Sequence, residues 1–368
     1  MSGWFAVENA ESIPSPALLL YPDRIHENLR EMIRIVGDKN RLRPHIKTHK
    51  LAEVVRMQLE QGITKCKCAT IAEGEMAAGA GARDVLIAYP LVGPNVTRLL
   101  RLAKAFPKTL FSCVADDASA ISLLSRTCVD AGQEIDVLLD VDSGQHRTGV
   151  EPGAGAGALY RLLANSTGLR PGGLHAYDGH LHEPDLEKRT ELCQKSFSAV
   201  EEFRRELLAY GLPVPRVVAG GTPTFPLHAK NPTVECSPGT CVLWDFGYAQ
   251  QFRDLHFLNA ALVLTRVVSK PGKNRLCLDL GHKAIAAEGP PPRASFLNLP
   301  DSTAVSHSEE HLVVQTTQAD RFTVGDCLYA EPSHICPTVA LYSEAIVVRD
   351  GRANESWRIV ARERRLTV

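Results

Sequence analysis

The sequence predicts an α/β protein, a (β/α)8 barrel followed by an antiparallel β domain. Strand-like and helix-like runs alternate from about residue 22 to residue 245, the texture of a parallel sheet. Eight strand candidates fall in that stretch, enough to close a barrel. Beyond residue 245 the helical periodicity gives way to short β-rich runs separated by Gly, Pro and Asp. A length of 368 residues suits two domains. The expected boundaries are 15–245 for the barrel and 246–368 for the β domain, with residues 1–14 associating with the latter.

Each element has its own reason. SPALLLY (15–21) is an apolar strand that precedes the barrel and is expected to pair with it. PDRIHENLREMIRIV (22–36) has helical amphipathicity and starts near Pro22 and Asp23. The strand candidates are 43–47, 65–70, 84–89, 109–115, 135–142, 171–178, 215–219 and 233–237. Between them lie helical runs such as 51–62, which stops at Gly62, and the helix after Asp116 and Asp117, either of which suits its N-cap. The longest helix is expected from about Asp185 to Tyr210. In the second domain LNAALVLTRVVSK, NRLCLDLG, HLVVQTT, DCLYAEP and SEAIVVRDG read as strands, with RIVARERR closing the set.

Composition excludes several function classes. Lys+Arg 41 against Asp+Glu 42 leaves a formal charge of -1, so nothing points to nucleic acid or an anionic membrane. No apolar run reaches the ~18 residues of a membrane span. MSGWFAVENAESIPSP lacks the basic and apolar regions of a signal peptide. Ten cysteines in a chain this long read as reduced, mostly buried thiols of a cytoplasmic protein. Cys66 and Cys68 alternate on a strand and share one face.

Polar clusters gather at the expected C-terminal strand ends, where barrels of this type carry their active sites. RPHIKTHK (43–50) places Lys47 among Arg43, His45, His49 and Lys50; crowding and burial favour a neutral amine able to form a Schiff base with an aldehyde. DVDSGQHRTGV (140–150) offers Arg147 to an anionic oxygen. HAYDGHLH (175–182) holds Tyr177, His180 and His182, suited to acid–base work or a metal. VVAGGTPT and SPGTC place Gly220, Gly221, Thr222, Gly239 and Thr240 after the seventh and eighth strands, the usual phosphate site. In the β domain, EPSHICPTVALY pairs His334 with Cys336, a donor set that favours zinc and leaves open positions. SEEHLVV adds His311 beside Glu309 and Glu310.

Together these motifs resemble the D-threonine aldolase/D-serine dehydratase family of fold-type III pyridoxal-phosphate enzymes, over about residues 15–345. RPHIKTHK is the most specific piece, followed by the H-x-C-P-T and S-E-E-H elements. The resemblance implies an alanine-racemase-like barrel that binds pyridoxal 5'-phosphate, a D-serine dehydratase-like β domain, and a homodimer. It makes Lys47 the Schiff-base lysine, Arg147 the partner of the cofactor's phenolic oxygen and Tyr177 a neighbour of the cofactor. It makes Gly220, Gly221, Thr222, Gly239 and Thr240 the phosphate loops, and His334 and Cys336 the metal pair. Aldolases of the family typically carry Asp at the second metal position and dehydratases carry Cys. Cys336 therefore shifts the expected metal from manganese or magnesium toward zinc. The expected activity is a metal-dependent lyase of D-β-hydroxy amino acids, cleaving D-threonine-like substrates to glycine and an aldehyde, with His180 or His182 as hydroxyl base. The alternatives are a D-serine or D-3-hydroxyaspartate dehydratase giving a keto acid and ammonia, an amino-acid racemase, and a non-enzymatic cofactor carrier.

Overall fold

The computed structural model describes residues 3–368, which form two compact units. One contains the chain up to Glu31, Thr48–Leu51 and Thr240–Arg362; the other contains Met32–Lys47, Ala52–Gly239 and Glu363–Val368. The chain opens with β1 (Ala17–Leu20) and α1 (Pro22–Val36).

The second of these units alternates α2 (Ala52–Glu60), β2 (Lys65–Cys68), α3 (Ile71–Ala80), β3 (Asp84–Ile87), α4 (Pro94–Ala105) and β4 (Leu110–Ala115). It continues through α5 (Ala118–Ala131), β5 (Ile135–Val141), α6 (Ala154–Ala164), β6 (Leu169–Ala176), α7 (Leu186–Ala209), β7 (Val217–Ala219), α8 (Phe225–His228) and β8 (Val234–Cys236). These seven strands form one parallel sheet in sequence order. The expected first strand, 43–47, is reduced to bridges from Leu42 to Cys236 and from His45 to Lys67. Pro44 has no N–H to give a ladder, yet its carbonyl accepts from Lys67 N, while Arg43 N donates to Cys236 O. The segment thus bonds to β8 on one side and β2 on the other, completing the barrel as an eighth, irregular stave.

Alternate residues of each stave point inward and build layers. At the N-terminal end Arg43, fully buried, forks onto Asp84 at 2.7 and 2.8 Å and reaches Glu235 at 2.7 Å. Lys65 joins Glu235, and Arg216 bonds Asp136 at 2.6 Å. Such buried charges persist only when paired. Two residues further along the strands, Leu86, Val114, Leu138 and Val218 form an apolar plug. The next layer, toward the C-terminal ends, is polar again. Outward-facing Leu139, Val141, Leu174, Ala176 and Val217 pack with Tyr160, Val200, Phe203 and Leu207 of α6 and α7. Cys66 and Cys68 are both fully buried.

The other unit carries β9 (Ala261–Ser269), β10 (Arg275–Leu278), β11 (Ala294–Phe296), β12 (Thr303–His307) and β13 (Leu312–Gln315). β14 (Cys327–Pro332), β15 (Glu344–Arg349) and β16 (Arg352–Arg358) follow, with short helices α9 (Phe246–Gln251) and α10 (Ile335–Ala340). The strand order is β12-β13-β10-β9-β1-β15-β16, with β14 beside β9 and β11 beside β14. β1 corrects one expectation: SPALLLY pairs not with the barrel but with β9, antiparallel, and β15, parallel. All four of its residues are buried, so alternation offered no clue to its partner. The β1–β15 pair also makes the sheet mixed rather than purely antiparallel. The last strand likewise lies upstream of RIVARERR, at 352–358. The N-terminal residues fold onto the same sheet: Val7 N donates to the Tyr329 hydroxyl, and Arg266 donates to the Ile13 carbonyl at 2.7 Å.

Candidate active site

Three cations surround the ring of Tyr177 in the barrel. Lys47 follows the first stave, and its Nζ lies 5.9 Å from the ring centroid. Lys67 Nζ, rising from β2, lies at 5.2 Å, and the Arg147 guanidinium at 5.3 Å. Distances of this order allow cation–π attraction. Lys67 is only 2% exposed. Burial, and next the charge of Lys47, pull its amine down to about 7, against the opposing pull of Asp178 and Asp140.

The loop that carries Arg147 is fixed by carboxylates. Asp142 Oδ1 accepts from Gly144 N and His146 N at 2.9 and 3.0 Å. Asp117 caps α5, which settles the two sequence candidates; Asp116 instead accepts from Gly149 N at 2.7 Å. Gly149 has φ +96, and a Cβ there would lie 2.7 Å from Asp142 N, so only glycine fits without moving the backbone.

Two aspartate–histidine pairs flank Tyr177 in sequence and behave oppositely. His175 Nδ1 meets Asp140 Oδ1 at 2.7 Å across neighbouring strands β5 and β6. Burial dominates and holds His175 below the ordinary imidazole range despite Asp140, with Lys67 and Arg147 adding to the depression. The neutral ring therefore donates Nδ1–H and leaves Nε2 as an acceptor. That Nε2 is buried and has no protein partner. His228 Nε2 meets Asp178 Oδ2 at the same 2.7 Å. Burial opposes its charge, but the bonds and charges of Asp178 and Cys193 raise it to about 10.

The glycine loops follow β7 and β8. Gly239 N donates to Thr222 Oγ1 at 3.2 Å, joining one loop to the other. The Tyr177 ring packs on Gly221, where a Cβ would lie 3.0 Å from it. Gly220 has φ +80 and sits against His228. Of the expected bases, His180 and His182 are both exposed, and the His180 ring lies against Gly144. Lys47, Arg147 and Tyr177 are thus gathered at one place, and Tyr177 connects them to Gly221.

Thr240, Cys336 and His334 belong to the other unit. Cys336 Sγ lies 3.2 Å from Thr48 Oγ1 and 3.7 Å from Thr240 Oγ1. His334 occupies the N-cap position of α10 and is half-exposed. Glu288 Oε1 bonds its Nδ1 at 2.5 Å, which directs Nε2 to any other partner. Burial lowers the basicity of His334, but the bond to Cys336, with the charges of Cys336 and Asp245 and the Glu288 bond, raises it to about 9. His311 lies on an exposed turn, where Glu309 and Glu310 pair with Lys283 at 2.9 and 2.8 Å. Two side-chain triplets of metal-capable type occur among the described residues, Asp178–Cys193–His228 and Asp142–His146–Glu151; neither includes His334.

Lys67, Glu288 and the pairings Asp140–His175 and Asp178–His228 escape a motif reading. Lys67 had a signal: if Cys66 and Cys68 face one way, Lys65 and Lys67 must face the other. The remaining contacts join residues distant in sequence.

The residues fit an anionic aldehyde cofactor. Lys47, Lys67 and Arg147, with Gly221 against the Tyr177 ring and the unpartnered His175 Nε2, bring cationic groups, a glycine loop and a primary amine together. A parallel α/β barrel with this constellation defines a pyridoxal-phosphate enzyme of the alanine racemase fold. The model of the alanine racemase N-terminal domain matches residues 21–245, more than half of the chain, and a serine dehydratase domain model matches 260–348. D-Threonine aldolase from Arthrobacter sp is 33% identical over 357 residues, 95% of this chain and 93% of that one. D-threo-3-hydroxyaspartate dehydratase from Delftia sp. (strain HT23) is 28% identical over 242 residues, 64% of this chain and 62% of that one. The crystal structure of D-threonine aldolase from Filomicrobium marinum superimposes with a TM-score of 0.90 at 28% identity, covering 99% of both chains. The chain belongs to the D-threonine aldolase/D-serine dehydratase family and is a pyridoxal-phosphate-dependent lyase.

Proposed function

We propose that the protein cleaves D-β-hydroxy amino acids of the D-threonine type to glycine and an aldehyde. Bound pyridoxal phosphate supplies an electron sink for a substrate α-carbon. Lys47 holds the cofactor, Arg147 faces its phenolic oxygen beside Tyr177, and Gly220, Gly221, Thr222, Gly239 and Thr240 receive its phosphate. His334 and Cys336 hold a divalent ion, zinc by the softness of the thiolate, which supplies a Lewis acid for the substrate hydroxyl. His180 or His182 takes the hydroxyl proton. In this scheme Lys47 serves the α-carbon side, while His334 and Cys336 serve the β-hydroxyl.

The observation that carries the reading is the gathering of Lys47, Lys67 and Arg147 around the Tyr177 ring. The aldolase from Arthrobacter sp, similar over 95% of the chain, supports cleavage as the leading activity. Cys336 itself favours a second reading, dehydration of D-serine or D-3-hydroxyaspartate. There Lys47 removes the Cα proton and the β-hydroxyl leaves. Product analysis separates the two. D-Threonine giving glycine and acetaldehyde supports cleavage. D-Serine giving pyruvate and ammonia, with no glycine from D-threonine, overturns it. We also infer a cytoplasmic location, in keeping with cysteines that stand as thiols, and a homodimer, as the family resemblance implies.

A further inference from the structure

Beneath the glycine loop lies a buried cluster that the proposed chemistry does not use. Asp178 accepts three hydrogen bonds: from Gly221 N at 3.0 Å, from Thr224 Oγ1 at 2.9 Å and from His228 Nε2 at 2.7 Å. Asp178 is 5% exposed, Thr224 0% and His228 4%. Thr224 Oγ1 also accepts from Gly221 N at 3.2 Å. The edge of the His228 ring closes on Gly220, where a Cβ would come within 2.6 Å of Cδ2. Phe197 stacks edge-on against the ring, and Cys193 Sγ lies 3.6 Å from its Nε2.

The triplet Asp178, Cys193 and His228 has metal-ligating types, but its geometry is that of an ion pair. A zinc ion at about 2.0 Å from each of two tetrahedral ligands would hold them roughly 3.3 Å apart. The 2.7 Å separation is that of a charge-assisted bond. A protonated His228 also neutralises Asp178, a carboxylate that would otherwise face the phosphate loop from behind. Without it, Asp178 would be a buried charge repelling the anion the loop is meant to hold.

We infer that His228 is a positioning residue for the phosphate loop: through Asp178 it fixes Gly220 and Gly221 and cancels the negative charge behind them. This rests on the reading of that loop as the phosphate site. It makes the phosphate contribution to cofactor affinity depend on a side chain that does not touch the cofactor.

The test compares pyridoxal 5'-phosphate with pyridoxal, which keeps the aldehyde and lacks the phosphate. Dissociation constants for both are titrated spectroscopically on apo wild type, His228→Leu and His228→Gln. His228→Leu should weaken pyridoxal 5'-phosphate by about tenfold or more, the scale of one lost bond to a charged group, and pyridoxal by no more than about twofold. His228→Gln, which keeps a neutral donor for Asp178, should fall between. Equal weakening of both ligands in either variant means a general structural role and overturns the inference. If His228→Leu does not fold, the same ratio from His228→Gln and Thr224→Val decides. A wild type that does not prefer the phosphorylated ligand instead overturns the assignment of the phosphate loop.

Discussion

Thr48 Oγ1 lies 3.2 Å from Cys336 Sγ. The hydroxyl belongs to the residue after Lys47, and the thiol lies two residues beyond His334 and 288 positions from Thr48. Thr240, next to the Gly239 of the phosphate loop, approaches the same sulfur at 3.7 Å. Both contacts lie within one unit, and the removal of Cys336 should be read by metal content as well as by rate. Cys336→Ala should lower bound zinc by about 10–100-fold, measured by mass spectrometry of the purified protein. Its cofactor absorbance should persist, since Lys47 is untouched. Cys336→Asp should move metal preference toward manganese or magnesium. Unchanged zinc in Cys336→Ala would remove this residue from the metal site.

Lys47→Ala should abolish the visible absorbance of the bound cofactor and lower turnover by at least about a thousandfold. A mutant that still forms a reducible bond to the cofactor would transfer the Schiff-base role to another amine. Lys67, on the same tyrosine ring and held near 7, is the obvious candidate.

Lys67 itself separates stability from binding. A buried amine with two lysine-length neighbours around one ring is costly to the fold, so Lys67→Met should leave apo stability unchanged or raise it by a few degrees in Tm. The same substitution removes one of three cations, and pyridoxal 5'-phosphate should bind more weakly by roughly tenfold. Parallel losses of Tm and affinity would mark Lys67 as a packing residue.

How these residues could be found differs from one to the next. Lys47, Arg147 and Tyr177 sit at strand ends, where topology alone makes polar clusters suspicious, and the barrel brings all three to one ring. The staves were visible because each apolar run is bounded by turn signals. β1 was not placeable, because Ala17–Leu20 is buried on both faces and its partners begin at Ala261 and Glu344. The Asp178–His228 bond joins positions 50 residues apart, and no local spacing encodes it.

The Arg147 loop offers a test of positioning. Gly149→Ala forces a Cβ to within 2.7 Å of Asp142 N and 2.9 Å of the Val141 carbonyl carbon. Because these are backbone atoms, the loop must move. The expected cost is about 1–3 kcal/mol of stability, with a rise in cofactor Kd from displaced Arg147. Chemical denaturation and cofactor titration would check both; an unchanged Kd would mean that Arg147 does not reach the cofactor.

Two buried histidines should shape stability against pH from opposite sides. Burial, aided by Lys50, lowers His49 from 6.5 to about 3. The unfolded chain binds this proton first, so the stability linked to His49 is present above about pH 6.5 and is lost as pH falls toward 3. His228 is raised from 6.5 to about 10 by Asp178 and Cys193 against the pull of burial. Here the folded chain binds the proton more tightly, so the contribution is full below about 6.5 and is lost as pH rises through 10. Lys67, lowered from 10.5 to about 7, adds stability as pH rises between those values and offsets the His228 loss. Each contribution is therefore read as a difference from the wild-type curve of urea midpoints between pH 5 and 10. His49→Gln should flatten the acid limb, and His228→Gln should make the alkaline limb rise relative to wild type. An alkaline limb that keeps its slope in His228→Gln would mean that the Asp178–His228 pair is not the ion pair its geometry describes.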